Sequence, residues 1–296
     1  MQGETLGRVG ESGSGKTTLA KLPLGLVAPD KGATLELDGQ SLPERVTHRS
    51  GEQVKSLQIV FQNHDSALNR AHSVRRLIAR SLSKLAALHG EAKEKRLHAL
   101  TESVRLPERY LGARTRQLSG GLKQRVAIAR AFAGDPRVVV CDEPTSALDV
   151  SVQAAILNLL ADLQRERRVS YVFISHDLHV VRYLSDRIAV LYLGRIMEIG
   201  RADVVFDGPQ HPYTTEALLS SVPSLDGAIA KRIWLSGELP SAAHPPSGCV
   251  FHTRCQRKIG PICETEVPPC RDTGDGHAIH CHIPVDELRA LQTRAG

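Results

Sequence analysis

Short apolar or alternating runs take turns with stretches of helical period along this chain, and together they predict an α/β fold. Thr5 to Val9 reads as a short strand, and Thr17 to Leu22 as the first turns of a helix. Pro23 falls where it lacks the N–H that would pair with the Leu19 carbonyl. An interior proline costs about 3 kcal/mol, so the helix is expected to kink or stop near Leu22. Thr34 to Gly39 alternates like a half-buried strand ending in a turn, and Leu57 to Phe61 is a second strand with Gln62 at its end. From about Ser73 the period changes. Val74, Leu77, Ile78, Leu82, Leu85 and Leu88 recur at helical spacing, with Gly90 as the expected stop. A further helix carries Leu97, Leu100 and Val104 before Pro107. These packing stripes predict a helical insertion between strands of the core.

Gln117-Leu118-Ser119-Gly120-Gly121 then opens another helix, Leu122 to Phe132. Ser119 is a natural N-cap, and the glycines leave backbone N–H groups open to an anion. Arg137 to Glu143 is an apolar run of the kind buried in a parallel sheet, ending in the carboxylates Asp142 and Glu143. Tyr171 to Ile174 is another such strand, ending at Ser175-His176-Asp177, and Arg187 to Ile199 reads as a hairpin turning at Leu193-Gly194.

Composition narrows the class. The chain has 296 residues, 41% hydrophobic and 24% charged, which suits a soluble globular protein with a sizeable core. No apolar run approaches the ~20 residues needed to span a bilayer. Met1-Gln2-Gly3-Glu4 has no basic-then-apolar signal pattern, so a cytoplasmic protein is expected. The net charge of +6 suits nucleotide or an anionic membrane surface, but it is spread out and gives no argument for nucleic acid. Of the six cysteines, Cys141 stands alone in an apolar run, whereas Cys249, Cys255, Cys263, Cys270 and Cys281 crowd the last fifth of the chain. In a cytosolic protein that clustering favours metal over disulfide.

The sharpest chemical signal is Gly10-Glu11-Ser12-Gly13-Ser14-Gly15-Lys16-Thr17, which fits the phosphate-binding pattern G-x-x-x-x-G-K-[ST] between a strand and a helix. Glycines let backbone N–H groups converge on phosphate oxygens, and the helix N-terminus adds partial positive charge. Lys16 would reach the β- and γ-phosphates, and the Thr17 hydroxyl would sit on Mg²⁺. Ligands of open α/β sheets bind beyond the carboxyl ends of strands, so Asp142 is placed to hold Mg²⁺ and Glu143 to polarise the attacking water as general base. His176 also ends a strand, which favours a γ-phosphate contact over a structural role.

In order and approximate spacing, the Gly10–Thr17 loop, Gln62, Leu118-Ser119-Gly120-Gly121, Asp142-Glu143, Ser146-Ala147-Leu148-Asp149 and His176 resemble the motifs of an ABC-transporter ATPase. The resemblance covers about Gly3 to Ile199. It implies a P-loop NTPase (RecA-like) parallel-sheet core with antiparallel strands at residues 1–62 and 134–221, a helical signature subdomain at 63–133, and a small Cys-rich C-terminal extension at 222–296. It implies that ATP and Mg²⁺ are held by Gly10 to Thr18, with Thr17, Gln62 and Asp142 around the metal. Gln62 would link Mg²⁺ and the attacking water to the transmembrane partner. Ser119, Gly120 and Gly121 would complete the ATP site of an opposite subunit, Asp149 would lie at the dimer seam, and His176 would sense the γ-phosphate. The implied partners are a second ATPase subunit, two transmembrane permeases and, indirectly, a solute-binding protein, at the cytoplasmic face of the cell membrane.

The C-terminal part resembles the oligopeptide/dipeptide (and nickel) importer branch. His211-Pro212-Tyr213-Thr214, Ala217-Leu218-Leu219, Val222-Pro223 and Gly248-Cys249-Val250-Phe251-His252-Thr253-Arg254-Cys255 carry that likeness, with Cys263 and His280-Cys281-His282. In that branch four cysteines can carry a four-iron four-sulfur cluster, which by position would be Cys249, Cys255, Cys263 and Cys281. The residues alone leave zinc open, with His252, His277, His280 and His282 available, and unliganded thiols as well.

Several residues depart from the family pattern. The chain begins only nine residues before Gly10, so the hairpin and the adenine-stacking aromatic that precede the loop in the family are missing, which we read as truncation. Arg8 occupies an apolar strand position, Asn63-His64 replaces Asp-Pro, and Leu122 replaces the glutamine after Ser-Gly-Gly. The leading expectation is the ATPase subunit of a peptide-type importer. The alternatives are a nucleotide-binding subunit with little hydrolysis, and a soluble ABC ATPase of translation or DNA repair.

Overall fold

The computed structural model describes residues 2–63, 67–219 and 238–293. His64 and the Val222-Pro223 pair lie outside them. Strand β1 (Thr5–Val9) leads into the glycine-rich loop, and helix α1 (Lys16–Lys21) leaves it. The chain forms two compact units, Met1–Thr5 with Thr17–Ile174, and Leu6–Lys16 with Ser175–Gly296.

In the first unit, α1 stops where Pro23 requires. Leu26 N–H donates to the Lys21 carbonyl at 3.1 Å and Gly25 N–H to Leu22 at 2.9 Å. Arg49 Nη1 donates to the Pro23 carbonyl at 2.5 Å. The strand expected at Thr34 to Gly39 is a small hairpin, β2 (Glu36–Leu37) and β3 (Gln40–Ser41). It turns at Asp38 and Gly39, both with positive φ (52° and 72°), the geometry that suits two-residue hairpins. Helix α2 (Gly51–Ser56) starts with a capping box between Ser50 and Gln53.

The sheet of this unit joins β4 (Leu57–Val60), β5 (Val138–Asp142) and β6 (Ser170–Ile174) in parallel, with Leu57 opposite Val138 and Asp142 opposite Ile174. Its apolar run is buried as expected, and Leu57, Val140 and Ile174 share a core cluster with Ala20, Leu24 and Leu42. Between β4 and β5 come α3 (Val74–Leu85), α4 (Gly90–Ser103) and α5 (Gly120–Ala131), and α6 (Val150–Arg167) joins β5 to β6. Gly90 does not end α3, as its spacing suggested. Ala87 takes the left-handed conformation after that helix (φ 51°), and Gly90 (φ 54°) turns the chain into α4. Glycine most often follows the end of a helix, but here Ala87 takes that left-handed position instead.

In the second unit β1 pairs in parallel with β7 (Arg187–Tyr192), Leu6 opposite Arg187 and Val9 opposite Val190. Helix α7 (Leu178–Leu184) packs so closely on β1 that a Cβ at Gly7 would fall 2.5 Å from Val181 Cγ1. Strand β8 (Arg195–Arg201) returns antiparallel after the expected turn at Leu193 and Gly194 (φ 45° and 77°). Helix α8 (Ala202–Asp207) follows, and later come α9 (Ile262–Thr265), β9 (Cys270–Asp272), β10 (Ala278–His280) and α10 (Val285–Thr293). β10 pairs antiparallel with both β8 and β9. The cysteine-rich segment adds β10 and β9 to the β7–β8 hairpin, which supplies the backbone partners that so short a segment needs.

Candidate nucleotide site

The glycine-rich loop belongs to the second unit up to Lys16. Gly10 has φ 154°, and a Cβ there would lie 2.2 Å from the Leu191 carbonyl oxygen and 2.8 Å from Ser14 Oγ, so only glycine fits. Gly13 and Gly15 are also in the positive-φ region (82° and 91°). Lys16 is buried within its own loop. Its Nζ donates to the Gly10 carbonyl at 2.6 Å, the Glu11 carbonyl at 2.8 Å and Ser14 Oγ at 3.4 Å. A cation at the centre of a ring of backbone dipoles is what an anion-binding loop needs for polyphosphate. Ser12 and Gly13 at the tip are exposed.

Glu11 is held at three points. Its N–H donates to Tyr213 Oη at 2.8 Å, and its carbonyl accepts from Lys16. Its carboxylate takes a two-pronged pair from Arg254, Nη1 to Oε2 at 2.6 Å and Nη2 to Oε1 at 3.2 Å. Tyr213 and Arg254 are site residues that sequence reasoning passed over. Both sat inside motifs noted for likeness alone, and no spacing tied either of them to Glu11. Arg8, in contrast, is a poor fit to its strand. Burial lowers its pKa to about 10, and its Nη1 is buried without a hydrogen-bond partner.

Thr17 and the acidic pair belong to the first unit. Thr17 Oγ1 donates to Asp142 Oδ1 at 3.2 Å, and Asp142 is buried at the end of β5. Two oxygens of opposite elements therefore meet where a divalent cation would find one hydroxyl and one carboxylate. Gln62 Nε2, beyond the end of β4, donates to Glu143 Oε2 at 3.0 Å. Glu143 itself has φ 44°, a strain of about 1–3 kcal/mol for a residue with a side chain. Its N–H donates to the Ile174 carbonyl at 3.0 Å, and its own carbonyl accepts from Ser146 N–H at 3.3 Å and Oγ at 3.2 Å. Those bonds hold the bend and aim the carboxylate away from the strand. Thr18 is exposed on α1. His176, in the second unit, is exposed just before Asp177, whose carboxylate caps α7 by accepting from His179 and Val180.

The signature segment is built differently. Ser119 is exposed and caps α5, accepting from Leu122 N–H at 3.4 Å. A Cβ at Gly121 would meet Val152 Cγ1 at 2.6 Å. Asp149 is exposed at the N-cap position of α6, with no side-chain capping bond. The structure thus brings Thr17 to Asp142 and Gln62 to Glu143, and leaves Ser119, Asp149 and His176 facing outward.

The cysteines sort into two groups. Cys249, Cys263 and Cys281 are buried and Cys255 half-buried, whereas Cys270 is exposed. Cys249 N–H donates to the Cys263 carbonyl at 2.9 Å. Burial pushes the Cys255 thiol up to about 12 and Cys281 up to about 11, and the neighbouring Cys249 raises both further. Among the described residues, no three His, Cys, Asp or Glu side chains stand close enough to hold a metal ion as they are. His252 Nδ1 lies 2.9 Å from the Cys249 carbonyl, His277 Nε2 3.0 Å from Glu198 Oε2 and His282 Nε2 3.0 Å from the Glu266 carbonyl, so three of the histidines considered for zinc already have partners. Among the described residues no helix is long and apolar enough to cross a membrane.

Comparison with known proteins agrees with this layout. The ABC transporter family matches residues 1–146, and the C-terminal region of oligopeptide/dipeptide transporters matches residues 197–263. The oligopeptide transport ATP-binding protein AppF of Bacillus subtilis is 41% identical over 286 residues, 95% of this chain and 86% of that protein. The dipeptide transport ATP-binding protein DppF of Escherichia coli is 43% identical over 281 residues, 95% of this chain and 83% of that protein. Among solved structures, cbiO1 from Clostridium perfringens, part of the ABC transporter complex cbiONQ, superposes with a TM-score of 0.62 at 27% identity, over 69% of this chain and 80% of its own. The cassette MJ0796, in a dimeric post-hydrolysis state with ADP and Pi, gives 0.58 at 30% identity, over 68% and 87%. A phosphate loop, an acidic strand end, a capped Ser-Gly-Gly helix and relatives along nearly the whole length lead to one conclusion: the chain belongs to the ABC ATPases, in the family of oligopeptide/dipeptide transport ATP-binding subunits.

Proposed function

We propose that this chain is the ATP-hydrolysing subunit of an importer for peptides or related small solutes. The observation that carries the reading is the Thr17–Asp142 contact at 3.2 Å, beside the Gln62–Glu143 contact at 3.0 Å. These pairs provide a hydroxyl and a carboxylate for Mg²⁺, and a carboxylate base oriented by an amide. When bound, Mg²⁺ would neutralise charge building on the β- and γ-phosphates. Thr17, Asp142 and Gln62 would hold it. Gly10 to Thr18 would bind the phosphates, Glu143 would take a proton from the attacking water, and His176 would contact the γ-phosphate. The exposed Ser119 and Asp149, with Gly120 and Gly121, would complete the site of a second ATPase subunit. Two permeases and, through them, a solute-binding protein would complete the transporter at the cytoplasmic face of the membrane. In the assembled complex Glu143→Gln should lower turnover by roughly 10²-fold or more while leaving ATP bound. Unchanged turnover would remove Glu143 from its role. Wild-type turnover at background level would favour a second reading, a nucleotide-binding subunit with little hydrolysis, for which Leu122 in the signature is the specific motive.

We further propose an iron–sulfur cluster on the thiols that the resemblance assigns, Cys249, Cys255, Cys263 and Cys281. They would have to draw together around it, since among the described residues no three such side chains stand at metal-holding distance; Cys270 is exposed. Those four thiolates would hold the cluster, which would cross-link a segment with a small core. Protein purified without oxygen should be brown and carry stoichiometric iron. A colourless, iron-free preparation under those conditions would end this assignment.

A further inference from the structure

The family reading gives the C-terminal extension no part in nucleotide chemistry, yet its side chains touch the phosphate loop. We propose that Arg254 and Tyr213 are positioning residues for ATP, acting through Glu11 of the loop. This rests on the reading of Gly10 to Thr17 as the ATP site.

Glu11 follows Gly10, the one position in the loop where even a methyl group would strike the Leu191 carbonyl at 2.2 Å. The conformation of the loop therefore depends on what holds Glu11. Its N–H goes to Tyr213 Oη, so that group turns away from the phosphate path. Its carboxylate goes to Arg254, and its carbonyl to the Lys16 ammonium. Displacing Glu11 moves a Lys16 partner directly. A charge-assisted two-pronged pair is among the strongest polar contacts a protein makes, and here Arg254 is only 9% exposed.

Arg254 and Tyr213 are themselves fixed. Arg254 Nη1 also reaches Tyr192 Oη at 3.4 Å. The rings of Tyr192, Tyr213 and Phe251 form a triangle with centroids 4.7 to 5.3 Å apart, all three fully buried. Independently, Leu239 of the extension is what a Cβ at Gly13 would meet, at 3.6 Å. At Glu11 the loop thus leans on residues C-terminal to the ATPase motifs. Such bracing orders the loop before ATP arrives and reduces the entropy lost on binding. It acts on binding, with no group offered to the reacting atoms.

The test uses the full-length chain, fluorescent mant-ATP with Mg²⁺ for affinity, and ATPase rates in the assembled transporter. Arg254→Met should weaken mant-ATP binding ~10-fold and raise KM by the same factor, with kcat within about two-fold. Arg254→Lys should recover part of the loss, because an ammonium cannot repeat the fork. Glu11→Gln should give a similar loss, and the double variant Glu11→Gln/Arg254→Met no more than either alone. Wild-type affinity in Arg254→Met, or losses that simply add in the double variant, would overturn the proposal. Should Arg254→Met fail to fold, Tyr213→Phe removes one oxygen only, and unchanged affinity there overturns it equally. Lys16→Ala run in parallel separates the two readings. If Lys16→Ala binds mant-ATP as the wild type does, the ATP site itself is misassigned. If it loses binding while Arg254→Met does not, this inference alone fails.

Discussion

The phosphate loop and the signature segment are both glycine-rich turns ahead of a helix, yet they are held in unlike ways. The loop is braced from all sides, by Lys16 within, by Tyr213 and Arg254 from far along the chain, and by the Leu191 carbonyl against Gly10. The signature is capped by Ser119, which accepts from Leu122 N–H at 3.4 Å, with Ser119 exposed and Gly120 and Gly121 half-buried. The proposed roles would call for this difference: a loop that binds polyphosphate gains from being fixed beforehand, and a segment proposed to complete another subunit's site would need open donors on a surface.

The sharpest way to break the comparison is to crowd one glycine in each region. Gly10→Ala puts a methyl carbon 2.2 Å from the backbone oxygen of Leu191, which cannot step aside. The expected cost is about 3 kcal/mol of stability, with loss of ATP binding. Gly121→Ala meets Val152 Cγ1 at 2.6 Å, the end of a side chain that can turn. It should cost about 1 kcal/mol and leave ATP binding intact. Chemical denaturation and nucleotide titration of both variants check this. Equal costs would mean that the two turns are alike after all.

Acid should separate the regions next. His211 is buried, its Nδ1 accepting from Tyr213 N–H at 3.0 Å and its ring 5.9 Å from that of Phe251. Burial, with His280 nearby, lowers its pKa from 6.5 to about 3. The folded state therefore refuses a proton that the unfolded chain accepts. This contribution to stability is whole above pH 6.5 and falls by about 1.4 kcal/mol for each pH unit below it, down to about 3. Hydrogen exchange at pH 7 and pH 5.5 should show protection falling around Tyr213 and the phosphate loop before it falls in α5. His211→Asn keeps an acceptor without the titration and should flatten the response.

How much of this could be read from the chain follows the range of the interactions. The strands and the positive-φ glycines of the Gly10–Thr17 loop were legible, because they rest on local spacing and backbone chemistry, and the resemblance added the family. The stop after Lys21 was legible from Pro23 for the same reason. Gly90 was not, since glycine usually marks a helix end, whereas here Ala87 takes the left-handed turn after α3 and Gly90 opens α4. The brace on Glu11 was out of reach too. Tyr213 and Arg254 lie more than two hundred positions from it, and no spacing rule couples such distant residues. The strained Glu143, with φ 44°, is invisible in a sequence where any residue could follow Asp142.

The smallest expected effect concerns Leu122. It stands where the family carries glutamine, and its N–H already caps the helix through Ser119. Because the backbone cap does not depend on the side chain, Leu122→Gln should leave the stability of α5 unchanged within about 0.5 kcal/mol. Leucine and glutamine differ little in helix propensity. What glutamine would add is one amide beside an exposed Ser-Gly-Gly turn. On the proposed reading any gain would belong to a partner subunit's ATP, not to this chain's own loop. Turnover of the assembled complex should rise about two- to three-fold, while mant-ATP affinity of the isolated chain stays constant. If affinity of the isolated chain rises as well, the signature contributes to the site of its own subunit. The contrast between a fixed loop and an offered one would then have to be given up.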